Sequence, residues 1–424
     1  MNKIILFFLT LLFFKPFGLD QVDKFGLNSL PMFAATKIFR ILWIMLIIIF
    51  LLYLIYKLYI YTKNNLITIK IPIFTFLFVV VYIYVLIVSY ILSDYSGSLG
   101  LYRLFELSLV LISLLILVSI SEYQEINLMN LVQKAILINF YLIIIVLLLW
   151  LIIDPSMIYQ LETQGRTRLG GAVYSPNELG IICSVTIWSA YYLFFKQMLG
   201  KKVFLTTILI AVAIIILTNS RTSIVIALAS ILYMLYKQNI INKIIIIFMG
   251  TLGLSFILMT FSINDLGYGN DPLEELKTLN NRIYIYQVAF DGIMQNPWFG
   301  TGYVEGTKEF LKENFTQDFW LPPHTHNGYI EIALSLGIPF FIIFALMGLR
   351  MLFTSIKNII FSENKIQLAI SMQIIIIMLT SNTTVIIGNI IGPLFILLLF
   401  YLFINMNLHN IPSNLNIKKD INAV

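Results

Sequence analysis

Long apolar runs, interrupted by short polar breaks, constrain the fold of this chain more than any other feature of its sequence. A helix that crosses a bilayer needs about 20 apolar residues, and runs of that length predict about twelve membrane spans. Charged residues form only 11% of the chain, against about 25% in soluble globular proteins. The runs are too long for the short alternating strands of a membrane β-barrel. The sequence therefore predicts an all-α integral membrane protein, with residues 1–424 forming a single polytopic domain.

The predicted spans also define an orientation, because lysine and arginine concentrate in cytoplasmic loops. Placing the N-terminus in the cytoplasm puts most of the lysines on that side, and an even number of spans returns the C-terminus there. The predicted spans cover approximately residues 4–19, 38–56, 71–92, 99–120, 131–153, 178–195, 203–218, 222–236, 244–263, 327–349, 367–385 and 388–407.

The distribution of positive charge argues against a nucleic-acid-binding site, and the cysteine count excludes sites that need several cysteines. The formal net charge is +6, but the lysines lie between hydrophobic spans rather than on the contiguous basic face that nucleic-acid binding needs. Cys183 is the only cysteine, so an internal disulfide and a multi-cysteine metal site are excluded. Because Cys183 lies in an apolar run, we expect it to be packed and inert.

The longest polar interruption, residues 264–326, lies between the ninth and tenth predicted spans and is expected on the outer face. Within it, residues 282–296 have the periodicity of an amphipathic helix that lies along the membrane surface. Pro297 is expected to end this helix, and Gly300 and Gly302 permit a sharp turn after it. The residues predicted to share its apolar face are Ile283, Tyr286, Ala289, Phe290 and Ile293.

Four arginines fall on the outer face, opposite most of the positive charge. They are Arg166, Arg168, Arg221 and Arg282. A guanidinium group matches phosphate oxygens in pairs, and such contacts strengthen near the low-dielectric membrane boundary. A cation kept on the disfavoured side therefore indicates an anionic ligand. For Arg221, which lies where two spans meet, the alternative is a side chain that snorkels or caps helix carbonyls. One of the close pair Arg166 and Arg168 is alternatively just solvated.

The two histidines at the end of the polar interruption are candidates for acid–base chemistry. His326 precedes the tenth predicted span and is the candidate base, because imidazole takes up a proton near neutral pH. Asn327 can hydrogen-bond beside it, and His324 can act instead or orient a ligand. The alternative is a pair of helix-start histidines without a task. The pair could chelate a metal, but only Glu331 offers a nearby carboxylate at helical spacing, so no metal site is predicted.

Three elements in this order resemble the O-antigen ligase and polymerase family of bacterial envelope glycosyltransferases. They are Asn219-Ser220-Arg221 before an apolar span, Arg282 followed by Asn296-Pro297 and Gly300-Thr301-Gly302, and His326-Asn327 followed after nine residues by Gly337. Ser175-Pro176-Asn177 is a weaker fourth element. The resemblance therefore extends over about half of the chain, residues 175–340.

The resemblance implies a GT-C-like fold in the bacterial inner membrane, with both termini cytoplasmic and residues 264–326 forming a periplasmic catalytic loop. It implies transfer of a glycan from undecaprenyl diphosphate without a metal or other cofactor. Arg221 and Arg282 would hold the diphosphate, and His326 would help to activate the acceptor hydroxyl. Arg166, Arg168, Asn177, His324 and Asn327 are the candidate substrate-binding residues. The implied partners are the lipid-linked oligosaccharide, an acceptor glycan or lipid A core, membrane lipid and a chain-length regulator.

The resemblance leaves polymerase and ligase open. Ligases of the family often have Gly, Thr or Tyr three residues after the glycine that corresponds to Gly337, and here that position is Phe340. We therefore favour an O-antigen or polysaccharide repeat-unit polymerase, with O-antigen ligase as the alternative. A lipid-linked glycan flippase or another transporter is a candidate of a different class, but it predicts ionisable residues within the spans, and Arg103 and Glu106 are almost alone there. A structural membrane scaffold is a further alternative.

Overall fold

The computed structural model of the 424-residue chain describes most of the chain in ten segments. These segments are residues 2–14, 31–63, 73–95, 97–123, 126–161, 167–170, 174–237, 282–315, 324–381 and 392–407. Everything below refers to these residues.

The described residues are almost entirely helical. The helices are α1 (Asn2–Phe13), α2 (Pro31–Lys63), α3 (Ile73–Leu92), α4 (Ser98–Tyr123), α5 (Leu128–Ile153), α6 (Pro176–Phe195), α7 (Lys201–Leu217), α8 (Arg221–Lys237), α9 (Arg282–Gln295), α10 (Glu305–Asn314), α11 (Gly328–Leu336), α12 (Ile338–Phe361), α13 (Lys365–Thr380) and α14 (Pro393–Asn407). A 3-10 turn, Pro155–Met157, precedes a short antiparallel hairpin of β1 (Tyr159–Leu161) and β2 (Thr167–Leu169).

Six of the described helices are long and apolar enough to cross a membrane. They contain the segments Ile41–Ile60, Ile73–Leu92, Gly100–Ser121, Leu128–Ile153, Pro176–Phe195 and Ile338–Phe361. Shorter apolar helices cover Asn2–Phe13, Lys365–Thr380 and Pro393–Ile404. The predicted class, an all-α multi-pass membrane protein, is confirmed. The count of about twelve spans stays a prediction, and its ninth member, residues 244–263, lies outside the described residues.

The predicted tenth span, residues 327–349, is wrong in its extent, because Gly337 divides it into α11 and α12. Gly337 has φ +85°, a left-handed conformation that an L side chain rarely adopts. A Cβ atom at this position would also collide with the backbone of Trp298 and Phe299. The next residue, Ile338, donates its N–H to the Pro297 carbonyl at 2.8 Å. Periodicity alone could not reveal the break, since both halves are apolar.

Helix α6 lies at the centre of the bundle and runs antiparallel to α13. The Lys365 ammonium group lies 4.3 Å from the ring centroid of Phe195. Eight residues further along α13, the Gln373 amide donates to the Val185 carbonyl at 3.1 Å and to Ser189 Oγ at 2.7 Å. Residue numbers thus rise along α13 while those of its partners fall along α6. The N-terminus of α6 and the C-terminus of α13 therefore lie at the same end of the bundle.

The turn between α7 and α8 lies at this same end. Gly180, in the second turn of α6, packs so closely against Thr218 and Ser223 that a Cβ atom would collide with the Ser223 side chain. The turn is as tight as predicted, because α7 ends at Leu217 and α8 begins at Arg221. Pro176 follows the N-cap Ser175 in the first turn of α6, a position where proline is favoured.

Helix α9 confirms the helix predicted for residues 282–296, and the structure shows which of its residues are buried within the protein. Its buried residues are Ile285, Ala289, Gly292 and Ile293. Phe290, predicted to be on the apolar face, is 57% exposed, while Ile283 and Tyr286 are half-buried. The reason is packing against α10 and α11, where the missing side chain of Gly292 leaves room for Phe310 and Leu334. Sequence periodicity could not assign a role to a glycine in that contact.

Candidate functional site

One end of the bundle, here called the site end, carries most of the candidate residues that the structure describes. It consists of the N-terminus of α6, the turn between α7 and α8, and the C-terminus of α13. Residues 324–329 join it, because Gly328 N–H donates to the Ser381 carbonyl at 2.7 Å and Tyr329 Oη donates to the Met378 carbonyl at 3.0 Å. The opposite end carries the exposed lysines Lys196, Lys201 and Lys365.

Arg168 connects the β-hairpin to the site end. Its Nε–H donates to the Thr218 carbonyl at 2.9 Å, and one of its terminal nitrogens donates to Asn177 Oδ1 at 2.6 Å. The guanidinium group therefore binds the C-terminus of α7 and the first turn of α6 together. Carbonyl groups at a helix C-terminus attract a cation, which accounts for part of this placement. Arg168 and Asn177 were predicted separately, and the structure brings them into direct contact.

Arg221 is the first residue of α8 and lies three residues after Thr218, whose carbonyl accepts the hydrogen bond from Arg168. Its side chain is half-buried. Beside it, the Ser220 and Ser223 hydroxyl groups are hydrogen-bonded at 2.9 Å and buried. A helix N-terminus presents N–H donors and a partial positive charge, so this turn combines a guanidinium group with an electropositive helix end.

The segment of His324, Thr325 and His326 is sharply bent and holds its two imidazole rings together. His326 has φ +56°, a conformation that is uncommon for a non-glycine residue. The ring centroids of the two histidines lie 4.2 Å apart in an edge-on arrangement. The His326 backbone N–H donates to His324 Nδ1 at 3.3 Å. An accepting Nδ1 carries no proton, so a neutral His324 ring carries its proton on Nε2.

Asn327 follows as the N-cap of α11. Its Oδ1 accepts from the N–H groups of Tyr329 and Ile330 at 3.0 and 3.3 Å. The Asn327 carbonyl accepts from the Glu331 N–H, which closes the first turn. Asn327 therefore fixes where the helix begins and hence where His326 lies, a role that N-cap preference explains without a ligand.

Arg282 begins α9, the helix that packs against α11. Its side chain is half-buried, and among the described residues it has no hydrogen bond or ion pair. The turn after α9 binds the end of α11, since Thr301 N–H donates to the Leu334 carbonyl at 2.7 Å. Gly300 and Gly302 have φ values of +73° and +113° in this turn, as their sequence predicts. The remaining arginine candidate, Arg166, lies outside the described residues.

The sequence assigned no role to Thr325, and it considered Glu331 only as a ligand for a metal site that was not predicted. Both are fully buried, and Glu331 Oε2 accepts from the Thr325 N–H at 2.9 Å and from Thr325 Oγ1 at 2.7 Å. The signal that could have found Glu331 is a carboxylate in the first turn of an otherwise apolar helix, where a charge is costly unless it has a partner.

The fold and the site end define a multi-pass membrane protein with guanidinium and imidazole groups at one end of its bundle. Residues 206–345 match a family model described as O-Antigen ligase. This match confirms the resemblance to the O-antigen ligase and polymerase family over about a third of the chain. The matched residues include Arg221, Arg282 and His326, whereas Arg168 and Asn177 precede them. No curated protein matches the chain.

Proposed function

We propose that the protein is a glycosyltransferase of the bacterial inner membrane that polymerises lipid-linked repeat units at the periplasmic face. The donor is a glycan on undecaprenyl diphosphate, and the acceptor is a hydroxyl group of another repeat unit. The single observation that carries the proposal is the site end, because Arg168, Arg221 and the histidine segment lie at the same end of a helical membrane bundle whose residues 206–345 match this family. The lysine-bearing end would face the cytoplasm, as loop charge predicts.

The proposed reaction assigns a task to each group. The acceptor oxygen attacks the anomeric carbon of the donor sugar, and the bond from that carbon to the diphosphate oxygen breaks. His326 takes the proton of the attacking hydroxyl group. Arg221 and Arg282 stabilise the negative charge that develops on the leaving diphosphate. Arg166, Arg168, Asn177, His324 and Asn327 bind or position the substrates. All these groups come from the chain, and we propose a transfer without a cofactor.

The first test is chain extension by purified protein in liposomes that contain the lipid-linked repeat unit. We expect Arg221→Ala, Arg282→Ala and His326→Ala to remain folded in the membrane and to lower the rate of extension by about 100-fold or more. Arg350→Ala is the matched control, because Arg350 is an exposed arginine in α12, well away from the site segments in sequence. Glycan ladders of full length from all three variants would refute the proposal.

A second variant separates charge from geometry. Lysine is a point charge, whereas arginine contacts two phosphate oxygens with a planar fork. Arg282→Lys is therefore expected to extend chains more slowly than the wild type. Wild-type activity in this variant would contradict the assignment of Arg282 as a bidentate diphosphate ligand, while leaving a general electrostatic role intact.

O-antigen ligase is the second candidate, and the description of the matched family favours it. Phe340 favours the polymerase, since ligases of the family often have Gly, Thr or Tyr at the corresponding position. Phe340 is buried with its ring centroid 4.5 Å from that of Tyr82. Deleting the gene distinguishes the two candidates. A polymerase mutant retains one repeat unit on the lipid core, whereas a ligase mutant has none.

A further inference from the structure

The carboxyl group of Glu331 holds the residue that lies between the two histidines. Thr325 is fully buried and gives both its N–H and its hydroxyl group to Glu331 Oε2. Thr325 Oγ1 also lies 2.8 Å from the Asn327 carbonyl. The chain from His324 to Asn327 is therefore bound at its middle to a side chain from the first turn of α11.

The buried surroundings of Glu331 make its carboxyl group costly in free energy. Burial raises the pKa of Glu331 to about 7, although the hydrogen bonds from Thr325 lower it. Burial also raises the pKa of Tyr303. The charge of Arg103 lowers this pKa, whereas the charges of Glu106 and Glu331 raise it. Arg103 and Glu106 form a buried ion pair at 2.8 Å. A buried carboxyl group costs free energy unless it is well bonded, so the two hydrogen bonds from Thr325 offset part of the cost of burying Glu331.

The backbone of the histidine segment needs external support. His326 adopts a left-handed conformation, which persists in a non-glycine residue only where the surroundings fix it. Its preceding neighbour is held by Glu331, and the following residues are held by the cap of α11 and by the Ser381 carbonyl. Among these supports, Glu331 acts through Thr325, which adjoins His324.

We propose that Glu331 is a positioning residue that fixes the His324–Thr325–His326 segment through Thr325 and so aims both imidazole rings into the site. The effect of Glu331 on the reaction rests on the proposed function. The effect of Glu331 on the position of the imidazole rings does not. If Glu331 contributed only to the stability of the fold, its replacement would lower stability and leave the exposure and titration of both histidines unchanged.

The test combines two readouts on the full-length protein in liposomes. Hydrogen–deuterium exchange at the imidazole C2 position, followed by mass spectrometry across a pH series, reports the exposure and titration of His324 and His326 separately. Chain extension gives kcat and KM. The variants are Glu331→Ala, Thr325→Val and their conservative counterparts Glu331→Gln and Thr325→Ser, which keep the accepting oxygen and the hydroxyl group. Gln373→Leu is the control for destabilisation, since Gln373 is equally buried within the bundle.

We expect Glu331→Ala and Thr325→Val to speed His326 exchange several-fold and to lower kcat by about tenfold with little change in KM. The conservative variants and Gln373→Leu should retain the exchange profile of the wild type. Unchanged exchange in both disruptive variants would overturn the positioning role, even if extension were lost. If exchange were altered in the disruptive variants while the His326→Ala variant still extended chains, the positioning role would be supported. The proposed function would then be refuted. If Glu331→Ala fails to fold, Thr325→Val decides the question.

Discussion

Glu331 carries a titratable group in the first turn of α11, which precedes the membrane-spanning segment Ile338–Phe361. Its pKa is about 7 in the folded protein, compared with an ordinary value of 4.5, because burial disfavours the charged form. The folded state therefore binds this proton more tightly than the unfolded state. Stability conferred by the neutral group is present below pH 4.5 and is lost as the pH rises towards 7.

This linkage predicts a pH-dependent melting temperature. The two pKa values, about 7 and 4.5, correspond to about 3 kcal/mol of stability lost between those pH values. We expect the melting temperature of the wild-type protein in detergent to fall over this interval and to level off above it. Glu331→Gln should remove most of the slope, because glutamine does not titrate. An identical slope in the variant would show that other groups control the transition.

At the scale of the elements, the contact between α11 and the turn after α9 depends on glycine. Gly337 permits the left-handed turn and the close approach of the Trp298 backbone. The hydrogen bonds from Thr301 to Leu334 and from Ile338 to Pro297 close the contact on both sides. The helix that begins with Arg282 is thereby fixed relative to the helix that follows His326.

Gly337→Ala is expected to destabilise the protein by at least about 1–2 kcal/mol, because alanine resists a positive φ and its Cβ would meet backbone. It should lower both the melting temperature and the rate of chain extension. Gly348→Ala is the matched control within α12, since its Cβ would meet only the flexible end of Met378. Equal melting temperatures in the two variants would contradict this account of the break.

The elements differ in how far the sequence could predict them. Pro297 marks a helix boundary by local chemistry, so the end of α9 was predicted correctly. The break at Gly337 and the exposure of Phe290 depend on tertiary packing, which a single apolar pattern does not contain. The contact of Arg168 with Asn177 joins residues of two elements, and periodicity cannot pair them.

At the scale of the whole molecule, the two ends of the bundle differ in the charged residues that they carry. Arg168, Arg221 and the histidine segment lie at the site end, and exposed lysines lie at the opposite end. A network of buried amides and hydroxyl groups keeps the central helices in register, with Gln373 contacting Gln133, Ser189 and Tyr401. Such bonds fix the relative heights of helices in a membrane bundle.

The orientation can be tested with single cysteines, because the native Cys183 is buried. Met294 is 74% exposed in α9, the helix that packs against α11, and Lys201 is exposed at the start of α7. A membrane-impermeant maleimide is expected to label Met294→Cys in right-side-out vesicles and Lys201→Cys only in inverted vesicles. The reverse pattern would place the candidate residues on the cytoplasmic side and would exclude periplasmic transfer.

The anchoring of α11 extends the folded unit beyond the segment that defines the family. The match ends at residue 345, yet the carbonyl acceptors for Gly328 and Tyr329 come from Ser381 and Met378. A fragment trimmed to the matched residues would leave the first turn of α11 without both acceptors. A stably folded fragment is therefore expected to require at least the residues through Ser381, together with helix α6, which packs against α13.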